Sequence, residues 1–364
     1  MSGSRMNGTW AAALAVGFAC SSATTSGPIA TPDAGADAGA GADAGLKADA
    51  GAGADAGADA GTGADAGGDA GANLVTGAYL LAFHACTPDA SVDCNSPSNH
   101  ITYVAHGNDG ANWSVIPSWV PFSGSVPDVV RRGTTLYIYN PNTVRRYDML
   151  TGVLTGPFNV SLSGGSDSAG YVDPSPLLED GGIVLFYLPG IMGQDPAGCA
   201  AGPCNRAIHS ATEIPGSDGT QFTQDPGDRS SIQLSTGQTY SDPDIYAGQT
   251  GYVLYVSQGS NTLVYRSVDG GLRSGYTLDG GPPGGNLTGG NGGIPAGHYD
   301  ADAGLYWTYV HFNVSGQTVI RRATHATLTT TLDAGNFSTV LSGTNIGLPS
   351  TARVESPGFA RNIP

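Results

Sequence analysis

The sequence predicts an all-β fold: a five-bladed β-propeller over residues 73–364, closed by pairing of its N- and C-terminal segments. Three observations predict it. A unit of about fifty to sixty residues recurs five times. Within each unit, runs of aromatic and β-branched residues alternate with turn residues, the pattern of short strands in a meander. The fifth copy is split, opening near the C-terminus and continuing near the start of the repeats. A ring closed in that way leaves no long exposed sheet edge.

Each copy opens with a proline-centred turn into a short apolar run, the expected first strand: VPDVV from Val126, VDPSPLL from Val172, SDPDIY from Ser241, GIPAGHY from Gly293 and ESPGF from Glu355. Second strands follow as TLYIYN from Thr135, IVLFYL from Ile183, YVLYVS from Tyr252 and LYWTYVHF from Leu305. Third strands read TVRRYD from Thr143, RAIHSAT from Arg206, LVYRSVDG from Leu263 and VIRRATHA from Val319. The copy at Glu355 has no such successors. AYLLAFHA from Ala78 and ITYVAHGNDG from Ile101 supply its second and third strands from the other end of the repeats. Between third and fourth strands, DGANW from Asp109, DGTQF from Asp218 and DAGNF from Asp333 share an Asp, a Gly, an amide and an aromatic, with a looser DGGL from Asp269. They resemble the Asp-box hairpins of sialidases and related propellers. There the Asp accepts backbone N–H bonds and the aromatic wedges between sheets, which implies a structural role.

Ahead of the propeller, residues 10–19 form a short apolar run followed by Cys20, too short to span a bilayer. The segment 1–20 is read as a bacterial signal peptide ending at a lipidation cysteine, Cys20, with simple secretion as the alternative. Residues 21–72 are dominated by Asp-Ala-Gly repeats, which cannot bury apolar surface and whose charges repel. This stretch is expected to be a disordered, solvated stalk, and the arrangement resembles bacterial surface lipoproteins. The predicted location is the extracellular face of the outer membrane, with the lipid as the sole membrane contact, or the secreted state. Of five cysteines, one is assigned to lipid and four to two disulfides, Cys86 with Cys94 and Cys199 with Cys204.

The formal net charge is −16; setting aside Arg5 and the stalk's eight Asp and one Lys leaves −10 on the propeller. Polyanions are repelled by such a surface, so nucleic acid is excluded as a partner. The propeller contains no lysine, which removes P-loop and Schiff-base chemistry. Uncharged glycans, polysaccharide or oligosaccharide, remain the natural partners of a chain expected to be a monomer.

First strands converge on a propeller's axis, and four of the five openings carry carboxylates: Asp128, Asp173, Asp242 with Asp244, and Glu355. Glycosidic cleavage needs one protonated and one ionised carboxyl, and clustering supplies that asymmetry by raising pKa values. On these motifs the chain resembles the five-bladed glycoside hydrolases of family 43 and their relatives, including arabinanases and the fructan-active enzymes. VDPSPLLEDGGIVLFYL from Val172 resembles the family's third-blade motif, which implies that Asp173 tunes and orients the acid. GIPAGHYDADAGLYWTYVHF from Gly293 resembles the Gly-His motif. That implies an axial role for His298 and a possible calcium or sodium ion, although no cofactor is required. The family's acid is a Glu two residues before Pro, where this chain has Ser241 with Asp242 beside it. Its base is an Asp directly before Pro, where this chain has Glu355 one residue earlier. A frame with Glu355 as acid is the alternative. The catalytic candidates are thus Asp173, Asp242 and Glu355, with Asp128, Asp244, Tyr171, Tyr240 and Tyr299 as substrate-binding candidates. Aromatics at blade junctions are more often core residues. A sialidase ranks lower: its arginine clamp is ill served by the adjacent pairs Arg131-Arg132, Arg145-Arg146 and Arg321-Arg322, because neighbours on a strand face opposite ways. A non-catalytic propeller binding glycan or protein is the reading from a different class.

Overall fold

The computed structural model describes residues 75–190, 197–199, 202–314 and 316–361. The expected signal peptide with Cys20 and the expected stalk lie outside them. The described chain forms five sheets, antiparallel except for one added strand in blade three. Blade two consists of Asp128–Arg132, Thr135–Asn140, Thr143–Asp148 and Leu154–Asn159. Blade three runs Tyr171–Glu179, Gly182–Pro189, Cys204–Glu213 and Gln221–Gln224, and Ser161–Ser163 is added in parallel to its last strand. Blade four is Ser241–Ala247, Tyr252–Gln258, Asn261–Ser267 and Tyr276–Leu278; blade five is Gly293–Asp300, Leu305–Val314, Gln317–His325 and Phe337–Leu341.

Blade one is composite. Arg353–Arg361 supplies the inner strand, and Tyr79–Cys86, Ile101–Gly107 and Ser114–Val115 follow outward. The closing pairs run from Tyr79 opposite Arg361 to Cys86 opposite Arg353. The five inner strands pack on one another in a ring, blade one against two and five, and so around. Five blades and closure by the termini match the sequence prediction.

The second strands read as unbroken apolar runs because both of their faces are covered. Ile183 to Leu188 are all buried, and so are Val253 to Ser257. One hydrophobic core lies at each blade junction. Leu81 and Phe83 of blade one meet Tyr309 and Ile320 of blade five; Leu80 and Val104 meet Leu136 and Ile138 of blade two. Tyr139 meets Leu185 and Phe222, Phe186 meets Leu254 and Tyr276, and Tyr255 meets Val310 and Phe337. Burial at about 25 cal/mol per Å² of apolar area makes these five cores the main stabilising term.

The hairpin aspartates do what turn chemistry asks of them in three places. Asp109 accepts from the backbone N–H of Ala111 (2.9 Å) and Asn112 (2.8 Å), Asp269 accepts from Gly271 (2.8 Å), and Asp333 forms a capping box with Asn336. Trp113, next to the first turn, packs edge-on against Tyr309 across the blade junction. Asp218 differs. Its carboxylate is drawn across to blade two by Arg132 (3.1 Å), Arg146 (2.9 Å) and the Tyr137 hydroxyl. Glu213 takes the turn's Gly219 N–H instead, at 2.6 Å. Both predicted disulfides, Cys86–Cys94 and Cys199–Cys204, are present.

Closure by the last strand makes a direct prediction. A chain ending at Ala352 leaves the edge of Tyr79–Cys86 unpaired and removes Val354 and Phe359 from the core between blades one and five. It is expected to lose cooperative thermal unfolding and to aggregate on size exclusion; retention of the parent's melting transition would contradict this.

Candidate functional site at the propeller axis

The five proline motifs form a ring at one end of the axis. The residue before each proline adopts positive φ: Val126 (40°), Asp173 (50°), Asp242 (49°), Ile294 (49°) and Ser356 (53°). Left-handed backbone is uncommon outside glycine and an outlier for Val and Ile, so the shape is imposed at a cost of about 1–3 kcal/mol per residue. In four blades the same residues form a bulge, where the pairing register slips between Val172 and Ser175, Ser241 and Asp244, Gly293 and Ala296, and opposite Glu355 and Gly358. The bulges release the pre-proline residues and the prolines from the ladder and place them around the axial opening.

This mouth gathers Asp128, Asp173, Asp242 and Asp244 with Val126, Ile294 and Ser356. It is shallow: the space open to the centre of a water molecule is only about 20 Å³. Beneath it, Asp128 (5 % exposed) and Asp244 (4 %) are almost sealed. Asp244 accepts from Gly297 N–H at 2.7 Å, and Ser175 accepts from Ile245 N–H at 3.1 Å. Gly358 is held against Asp128; a Cβ there would lie 2.3 Å from the carboxylate Oδ1. These contacts floor the mouth.

Asp173 and Asp242 stand above the floor, partly open, on neighbouring blades. The Asp242 N–H donates to Asp173 Oδ2 at 3.3 Å, and the Ser241 hydroxyl donates to Asp242 at 2.6 Å. Burial pushes the Asp242 carboxyl up to about 6. Burial, then the Asp242 charge, pushes Asp173 well above the usual carboxylate range. The two titrations are linked, so their raised values belong to the pair and not to either residue alone. Burial likewise raises Asp244 to about 8 and, with the Asp244 charge, raises Asp128.

Several candidates lie elsewhere. Glu355 does not line the mouth, since it precedes the pre-proline position by one residue and its neighbour Ser356 occupies that place. Its carboxylate faces His84, with Oε2 3.5 Å from Nε2. Burial alone would raise its pKa, but His84, His311 and Arg353 outweigh that and bring it to about 2. His84 Nδ1 accepts from Val126 N–H (3.2 Å), so the imidazole proton sits on Nε2, towards Glu355. The expectation that Glu355 joins the aspartates at one pocket is therefore corrected. Tyr171 and Tyr240 are fully buried, bonded to Asn140 O and Ser230 Oγ, and are core residues out of reach of a sugar. Tyr299 and His298 line the opposite end of the axis.

His298 lies in an aromatic cluster. It is packed among the rings of Tyr79, Trp307 and Phe359, its buried Nε2 has no hydrogen-bond partner, and burial lowers its pKa to about 4. Among the described residues no three His, Cys, Asp or Glu side chains are grouped to hold a metal ion. The arginine pairs diverge as strand alternation requires. Arg132, for example, pairs with Glu213 (2.6 Å) while Arg131 lines the opposite mouth.

Ser175 and Ser356 were not singled out by sequence. Ser356 is 4 % exposed and its hydroxyl is unpartnered. Alignment of the five motifs on their prolines is the signal that finds it.

No protein-family profile matches the chain, and no curated protein does. Solved structures similar to it include a family 43 endo-arabinanase from Bacillus licheniformis (16% identity, TM-score 0.40, 61% of this chain and 77% of that one). Others are an α-L-arabinanase from Cellvibrio cellulosa (13%, 0.39, 56% and 70%) and an endo-1,4-β-xylanase from Bacteroides thetaiotaomicron (13%, 0.42, 67% and 86%). Strand order and closure, described above, establish the five-bladed propeller independently of these low scores.

Asp244 offers a test of the site's electrostatics. Its folded pKa is raised, so its contribution to stability is complete below the unfolded value of about 4 and is lost as pH rises through about 8. Relative to the parent, Asp244→Asn should gain several degrees in melting temperature between about pH 5 and about pH 8.5. A difference that is flat with pH would refute the raised pKa.

Proposed function

We propose that this protein is a carbohydrate-active propeller of glycoside-hydrolase-like form, and that its acid-lined mouth acts on an uncharged polysaccharide through the Asp173–Asp242 pair. The observation that carries this is the pair itself: two aspartates from adjacent blades lining one mouth at the open end of the axis, the Asp242 N–H donating to Asp173 Oδ2 at 3.3 Å, with the Asp242 carboxyl raised to about 6. Such a pair presents a proton donor for a leaving oxygen and an ionised carboxylate in one place. The surrounding net negative charge favours neutral sugars over acidic ones. Glu355, held ionised beside His84, supports the mouth's rim through Val126 and Ser356 and is assigned no proton transfer.

A second reading, glycan binding without hydrolysis, is favoured by the small open volume and by Glu355 facing away from the mouth. In both readings we place the propeller outside the cell, carried on the Asp-Ala-Gly segment behind a lipidated Cys20.

Reducing-end release from arabinan, xylan and galactan, with affinity electrophoresis on the same polymers, separates the possibilities. Hydrolysis in the parent, lost by about a hundredfold or more in Asp173→Asn and Asp242→Asn and kept in Glu355→Gln, supports catalysis by the pair. Retardation without hydrolysis, abolished by the same two substitutions, supports binding alone. Activity or binding unchanged in both variants removes the mouth as the site.

A further inference from the structure

The axis has a second opening, and it is the roomier one. Beyond the floor of Asp128, Ser175 and Asp244, the inner strands diverge around a cavity of about 310 Å³ at the opposite end from the prolines. All five strands contribute to it at the same depth, two to four residues past each proline. The walls are apolar, with Val130, Leu177, Ile245 and Phe359, and among the described residues no carboxylate lines it.

Its charged groups are cationic, beside the neutral Tyr246, His298 and Tyr299. Arg131 and Arg361 occupy equivalent positions, four residues past Pro127 and Pro357, on inner strands that pack side by side. Arg131 is oriented, its Nε donating to Gly133 O at 2.7 Å, while Arg361 stands exposed at the rim. Two arginines lining one mouth are notable in a chain of net charge −16 whose other axial mouth gathers four aspartates. Charge and shape thus separate the two ends: a narrow acidic opening and a wide apolar one rimmed by arginine.

We infer that the wide mouth is a binding site for a small organic carboxylate, its apolar body lodged among Leu177, Ile245 and Phe359 and its anionic group held by Arg131 and Arg361. Arginine's fork matches a carboxylate, and an apolar pocket with a few convergent polar groups is the usual form of a small-molecule site. The site is independent of the acidic mouth and of any glycan that mouth takes.

Benzoate, with benzamide as its uncharged counterpart, is the probe, read by titration calorimetry on the full chain. Saturable one-to-one binding of benzoate in the millimolar range is expected, with benzamide weaker by about tenfold or more. Arg131→Gln and Arg361→Gln should each weaken benzoate by about tenfold, and Ala247→Trp, which puts an indole at the rim, should abolish it. Both arginines are surface-reaching, so their variants remain informative if the tryptophan variant fails to fold. Absence of saturable benzoate binding to the parent, equal affinity for benzamide, or affinity unchanged in both arginine variants would overturn the proposal.

Discussion

The structure depends on closure of the ring by its last strand. Each hydrophobic core lies between two blades, so no blade can bury its faces alone. Five blades bury them only if the first and fifth are brought into contact. Pairing of Arg353–Arg361 with Tyr79–Cys86 brings that about, because it makes one blade from both ends of the propeller. Every inner strand then has two inner neighbours, and the axis becomes a bounded channel.

Within that ring, one repeated backbone feature sets the chemistry. A left-handed residue before a proline opens each inner strand and turns its side chain towards the axis. What the ring presents is then decided by the five residues at that position. Blades three and four place Asp there, and the others place Val, Ile and Ser. The acid function is consequently lopsided, concentrated where blades three and four meet. One residue past the proline, Asp128, Ser175 and Asp244 are buried and form the floor. Four residues past the proline, the same strands carry Arg131 and Arg361. Position along the inner strand sorts the charges by depth.

Much of this was legible in the sequence. The second strands are aromatic and β-branched runs flanked by turns, and the split fifth copy can only be completed across the termini. Short cysteine spacings within single loops pointed to both disulfides. The site was legible to the blade and not to the residue. Glu355 was grouped with the aspartates because it opens a first strand, yet one residue of register separates it from the ring, and a bulge makes that single residue decisive. Tyr171 and Tyr240 flank the motifs in sequence but are fully buried in the cores at the blade junctions. His298 follows its proline by three residues, which carries it through the floor to the far mouth. Asp218 departs from its hairpin pattern because Arg132 and Arg146 of the neighbouring blade outcompete the turn, a contact no local pattern contains.

The raised pKa values of Asp173 and Asp242 are the point on which the acidic mouth turns. Carboxyl-carbon NMR titration of the aspartates, assigned by Asp173→Asn and Asp242→Asn, measures them directly. The account predicts that the pair titrates in two steps, one near pH 6 and one well above the ordinary carboxylate range. Two independent titrations near about 4 would contradict it, leaving two solvated aspartates with no proton to give.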